Sequence, residues 1–218
     1  MNVNEAVAAR KSIRAFLDTP VDDDLVIDLL KRSSRAPSGG NVQPWKIYMI
    51  GSAAMPGFHE FLGKQEIERP GYQIYPADLW EPHRTNRFSV GEQMYELLGI
   101  ARDDKAGRLA RLAQNYQFFG APAAFFCFVD RRMGPPQWSD LGMFLQTFML
   151  LAVEAGLDTC PQEAWAMWSQ SVAEFVGAGD DEMLFCGMAI GHRDPDAAVN
   201  SLDSERMPFE QWATVVQP

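Results

Sequence analysis

The stretch AAFFCFVD, residues 123–130, restricts the fold of this chain more than any other. Its first seven residues are all apolar, and the run has the length of a strand. A strand without polar alternation is buried on both faces, which makes it a central strand of its sheet. MLFCGMAIG, residues 183–191, reads as another buried strand, and WKIYMIG, residues 45–51, as a further strand. Residues 138–155 read as a long helix, apolar nearly all round, hence central or at a subunit interface. Helices and strands succeed one another without a regular βαβ alternation, so the expected class is α+β.

The remaining elements fall between these. NVNEAVAAR predicts a first helix capped by Asn2 or Asn4. Residues 20–36 predict a second, with Asp22, Asp23 and Asp24 in its first turn and Lys31 and Arg32 towards its end, as the helix dipole favours. APSGGNVQPW, residues 36–45, is a loop by its Pro, Gly and Asn content. Residues 52–63 are a helix candidate, and residues 86–118 read as two helices broken near 99–104. DTCPQEAW, residues 158–165, is expected to run extended, and residues 206–216 form a C-terminal segment. The 218 residues fit one domain spanning 1–218. Its aromatic, proline-punctuated excursion at about 64–90 is of the kind that often rims a functional site.

Several function classes have little support. The net charge of -10 argues against nucleic acid or an anionic membrane as principal partner, though a small anion needs only a few local cations. Cys127, Cys160 and Cys186 are widely separated among apolar or small neighbours and read as reduced core thiols. No signal-peptide core and no run of about 18 apolar residues appears, so the expected address is cytoplasmic. The phosphate loops GxGxxG and GxxxxGK[ST] are missing, APSGG around Ser38 lacks the first glycine of a nucleophile elbow, and His59, His83 and His192 stand outside any metal-binding spacing. Chemistry in such a chain falls to a cofactor, and no metal is expected.

RKSIRAF, residues 10–16, supplies the most pointed polar pattern. In an extended segment Arg10, Ser12 and Arg14 share one side while Ile13 and Ala15 face the other. Three further segments suit a ligand. The loop at 36–45 offers turn amides with the side chains of Ser38, Asn41 and Gln43, TCPQEAW sets a main-chain amide at Glu163 after a proline, and VNSLDSERMP ends on the isolated cation Arg206.

Taken in order, RKSIRAF, RAPSGGNVQPW, NYQFFGAP, QWSDLGMFLQTFMLLAVEAGLDTCPQEAW, FCGMAIGHRDPDAAVN and SERMP resemble the FMN-dependent nitroreductases, in the branch that includes nitrobenzoate reductases. The resemblance covers nearly the whole chain. It implies a mixed or antiparallel sheet flanked by helices, in an intertwined homodimer with tightly bound, non-covalent FMN at the interface. It further implies that Arg10 pairs with the flavin phosphate, that Ser12 bonds the phosphate or ribityl chain, and that Arg14 reaches the pyrimidine edge. Pro37, Ser38, Gly39 and Asn41 match a loop that crosses from the second subunit, and Gln43 follows them. Pro161, Gln162 and Glu163 match the segment lining the flavin face, and Arg206 matches a second phosphate ligand. Many relatives carry lysine two residues before that arginine, where this chain has Ser204.

The implied activity is hydride transfer from NAD(P)H through FMN to nitroaromatic or quinone-type acceptors in a ping-pong cycle, with no catalytic side chain of its own. Tyr72, Tyr75, Trp80 and Phe88 are expected to roof the flavin, and Arg84 and Arg87 are mainly surface cations, with a carboxylate on the acceptor as a further reading. Two alternatives accompany this. One keeps the scaffold for enone reduction, reductive dehalogenation or flavin fragmentation; the other is a non-enzymatic flavin-binding or structural dimer.

Overall fold

The computed structural model describes residues 1–217. Its strands are β1 (Lys46–Ile50), β2 (Ala123–Asp130), β3 (Asp158–Gln162) and β4 (Glu182–Gly191), joined antiparallel in the order β1-β2-β4-β3. The described helices are α1 (Val3–Ala9), α2 (Asp23–Ser33), α3 (Met55–Leu62), α4 (His83–Leu97), α5 (Lys105–Ala113), α6 (Pro135–Glu154) and α7 (Ser169–Val176). The architecture is α+β, as the irregular succession of elements requires.

The apolar run at β2 is resolved by the two-residue period of a strand. Ala123, Phe125, Cys127 and Val129 enter one core with α2 and α6, while Ala124, Phe126 and Phe128 enter a second with α3, α7 and Trp165. Neighbouring β4 changes face midway. Cys127 opposes Cys186, but Phe128 opposes Leu184, so Phe185 is an extra residue. This bulge sends Cys186 and Met188 to the α6 side and Leu184 to the other.

Local capping matches the sequence. Asn2 accepts from the Glu5 N–H at 3.0 Å while the Glu5 carboxylate accepts from the Asn2 N–H at 2.8 Å, closing the start of α1. Asp22 caps α2 through the Asp24 N–H at 2.9 Å.

Four expectations are corrected. Helix α2 spans 23–33, not 20–36. The segment expected to run extended over 158–165 does so only to Gln162; Glu163–Trp168 form a 3-10 turn that drives Trp165 fully into the core. The second helix of 86–118 stops at Ala113, because Phe118 and Phe119 take left-handed backbone angles of 47° and 55° that turn both rings inward. The irregular excursion ends at Pro82, since α4 begins at His83.

Trp165 lies against the backbone of Gly187, where a methyl group would collide with the indole. Gly187→Ala therefore forces a fully buried ring out of position, and overpacking of that kind costs about 1–3 kcal/mol. Denaturant unfolding of the variant should show a loss of that size with an unchanged slope; wild-type stability would mean the indole moves freely.

Candidate active site

The site begins with the way the 10–16 segment is held. The Ile13 side chain is fully buried, and its N–H donates to the Thr159 carbonyl at 3.0 Å, laying the segment beside β3. Further along, the Leu17 N–H donates to the His192 carbonyl at 2.9 Å. Buried Asn200 clamps the middle: its Oδ1 accepts from the Arg14 N–H at 2.9 Å, and its Nδ2 donates to the carbonyls of Ala15 at 2.8 Å and Asp194 at 2.9 Å. Arg193 donates to Asp158 at 2.8 Å, which raises the guanidinium above its ordinary range and commits it to the frame beside the segment.

With Ile13 turned inward, the polar row lines a recess of about 160 Å³ formed by Arg10, Lys11, Ser12, Arg14, Asp203, Ser204 and Arg206 with Val90 and Leu202. Lys11 pairs with Asp203 at 3.5 Å. Arg206 is exposed, and its Nη1 donates to the Ser204 carbonyl at 2.6 Å and the Ser204 hydroxyl at 2.8 Å. Burial, then the charge of Arg206, hold Arg10 below the ordinary guanidinium range. Guanidinium groups gathered against their own repulsion make a receptor for an anion.

Arg14 and Leu202 also border a larger cleft of about 840 Å³. Ile67, Ile74, Met94, Leu145 and Met149 give it apolar walls, while Arg111, Asn115, Gln162 and Glu163 add polar groups. Gln162 is buried and its Nε2 donates to the Asn115 carbonyl at 2.8 Å, fixing the chain that carries Pro161 and Glu163 along the wall. Burial pushes the Glu163 carboxyl above the usual carboxylate range. Among the described residues no cluster of three His, Cys, Asp or Glu groups could hold a metal. None of their helices is long and apolar enough to cross a membrane.

The structure thus gathers Arg10, Ser12, Arg14 and Arg206 at the recess and Arg14, Pro161, Gln162 and Glu163 at the cleft. Pro37, Ser38, Gly39, Asn41 and Gln43 border neither cavity. Their loop packs on α6, where the Gly39 N–H donates to buried Asp140 at 3.2 Å, and it holds Asn41 and Gln43 at left-handed angles of 58° and 50°. Of the four aromatic residues expected as a roof, Tyr75 lines the cleft. Tyr72 instead donates its hydroxyl to the Phe185 carbonyl at 2.6 Å, and Trp80 and Phe88 are exposed. Arg84 pairs with Glu81 at 2.7 Å; Arg87 stacks 4.3 Å over the Tyr75 ring on the cleft wall. Sequence reasoning missed Arg111, Asn115 and Asn200, which lie inside ordinary helical or polar stretches.

A cation-lined recess beside a larger, mainly apolar cleft on an antiparallel α+β frame suits a ligand with an apolar body and an anionic tail. The Nitroreductase family profile matches residues 7–192, and the chain belongs to that family. It is 35% identical over 206 residues to a 4-nitrobenzoate reductase of Pseudomonas putida, covering 94% of this chain and 89% of that one. It is 32% identical to a chloronitrobenzene nitroreductase of Comamonas testosteroni, over 98% and 96% of the two chains. Among solved structures it superposes on the FMN and NADPH-dependent nitroreductase NfnB of Sphigopyxis sp. strain HMH with a TM-score of 0.94, at 45% identity and full coverage of both chains.

The cysteines beneath this site are shielded. Burial pushes Cys160 up to about 11 despite the nearby charges of Arg14, Arg111 and Arg10, and pushes Cys186 up to about 12. Their thiolate fractions at pH 8 are then on the order of 10⁻³ or less, and Cys127 lies well above its ordinary range too. Iodoacetamide at pH 8 should leave the folded chain unlabelled and modify all three free thiols once it is unfolded in urea. Rapid labelling of the folded chain would show that the core opens.

Proposed function

We propose that this protein is an FMN-dependent oxidoreductase that uses NAD(P)H to reduce nitroaromatic and quinone-type acceptors. One observation carries the reading: the arginine-lined recess and the 840 Å³ apolar cleft are neighbours that share Arg14, Val90 and Leu202 in their walls, an arrangement suited to a cofactor with a ring and a phosphate. The family membership and the named relatives support it.

FMN, when bound, supplies the two-electron chemistry that links NAD(P)H oxidation to acceptor reduction. The chain's own residues position and tune it. Arg10, Ser12 and Arg206 hold the phosphate by charge-assisted hydrogen bonds. Arg14, fixed by Asn200, sets a cation where recess meets cleft. Pro161, Gln162 and Glu163 present rigid main chain to the ring, and the apolar walls exclude water from it.

The functional unit in this proposal is a cytoplasmic homodimer of single-domain chains. Pro37, Ser38, Gly39, Asn41 and Gln43 serve the partner's cleft. That they line neither cavity of their own chain supports that reading, as does the exposed surface of α4 and α5, which contain no fully buried residue. The excursion roofs the cleft through Ile67, Ile74 and Tyr75, anchored where Glu68 accepts from the Gln170 N–H at 2.7 Å and the Gly71 N–H donates to the Ala166 carbonyl at 2.9 Å.

Purified protein should carry FMN, bleach with NAD(P)H under nitrogen, and recover colour on addition of 4-nitrobenzoate or menadione. A colourless chain indifferent to added FMN would overturn the proposal. Arg10→Ala removes a charge-assisted contact of about 1.5–3 kcal/mol, so the FMN Kd should rise roughly 10- to 100-fold while kcat at saturating FMN stays near wild type. Equal FMN affinity in the variant would remove Arg10 from the phosphate site.

A further inference from the structure

We infer that Arg111 is a second fixed cation that acts with Arg14 on the electron-rich edge of the ring bound in the cleft and favours its reduced, more negative form. The inference rests on the FMN reading above and adds a residue that no sequence motif picks out.

Arg111 lies in the last turn of α5 and lines the cleft beside Arg14. Its guanidinium sits 5.0 Å above the Phe119 ring, and its Nη2 donates to the Arg14 main-chain carbonyl at 3.0 Å. The two arginines are thereby tied to one short segment. The Nε–H of Arg111 is buried and meets no acceptor among the described residues. A buried guanidinium donor in that state costs stability, so the position of this side chain is not explained by its own hydrogen bonding.

Counter-charge is also lacking. Glu92, the acid that faces α5 from α4, is engaged by Arg108 through two hydrogen bonds at 2.6 and 3.1 Å. Glu163, on the cleft wall, makes no ion pair with Arg14 or Arg111 among the described residues. Cys160 lies near three arginines and stays neutral at physiological pH, because burial pushes it up to about 11. Burial, then the charge of Arg14, hold Arg111 below the ordinary guanidinium range. Two adjacent cations on a largely apolar wall act strongly on a ligand's charge, since little water screens them. A ring that gains negative charge on reduction binds such a wall more tightly when reduced, and that difference in affinity is a rise in reduction potential. Arg111 does not border the phosphate recess, so its effect is separable from phosphate binding.

The test is a pair of titrations on full-length protein, with oxidised FMN in air and reduced FMN under nitrogen, for wild type, Arg111→Gln, Arg111→Met and Arg111→Lys. The neutral variants should lose about tenfold more affinity for reduced than for oxidised FMN, equivalent to a potential about 30 mV lower for a two-electron couple. Arg111→Lys should recover most of that difference. Two neutral replacements are read in parallel, so the comparison survives if one fails to fold. Equal losses for both forms, or none, would reduce Arg111 to a strut for the Arg14 carbonyl and overturn the inference while the FMN reading stands. A wild-type chain that binds neither form would sink that reading and this inference together.

Discussion

A strand with apolar side chains on both faces demands a covering layer on each side, and β2 imposes that demand on the whole chain. The α2–α6 layer and the α3–α7 layer exist to satisfy it, and β4 satisfies it by changing face at the Phe185 bulge. The bulge places the carbonyl of Phe185 where Tyr72 bonds it and sets Phe185 and Cys186 on the cleft wall. Packing thus fixes the position of the cleft before any charged residue contributes. The polar groups of the site are then carried by segments laid along the outer strand β3 and at its exit, where main chain is still free to pair.

Charge distribution follows a different logic from packing. The chain carries a net charge of -10, yet Arg10, Arg14, Arg111 and Arg206 gather around two neighbouring cavities. Nearby acids are paired with other cations: Asp158 with Arg193, Glu92 with Arg108, and Asp203, within the recess, with Lys11. Such a cluster opposes folding, and an anionic ligand that binds the folded chain offsets the cost through linkage. Bound FMN in the proposed role would therefore stabilise the fold as well as supply its chemistry. The overall acidity keeps non-specific polyanions away from a site that is locally cationic.

How much of this was legible in the sequence depended on the range of the interactions involved. The strands and α6 were readable because burial on more than one side leaves a continuous apolar record in consecutive residues. The 10–16 row was readable because its alternation is local, and the buried Ile13 bears it out. Arg111 was not, because its significance comes from lying beside Arg14, 97 positions away in the chain. Asn200 was hidden for the same reason, clamping Arg14 across 186 positions. The 3-10 turns at 114–120 and 163–168 escaped because residues there follow the positions their rings must fill, against the local preference for helix or strand.

Ser204 leaves the recess with one cation fewer than the resemblance leads one to expect. A lysine at that position would add charge on a flexible stem. The serine instead accepts from Arg206 Nη1 through its hydroxyl while its carbonyl accepts from the same nitrogen, so the exposed guanidinium is oriented by its own chain. If Arg206 takes the phosphate role proposed above, orientation would substitute in part for charge, because a guanidinium already held in place loses less side-chain entropy on meeting an anion. In the proposed role the segment at residues 204–206 would be a preorganised arm, and Arg10 near the start of the sequence and Arg206 near its finish line one recess beside the β3-bound segment.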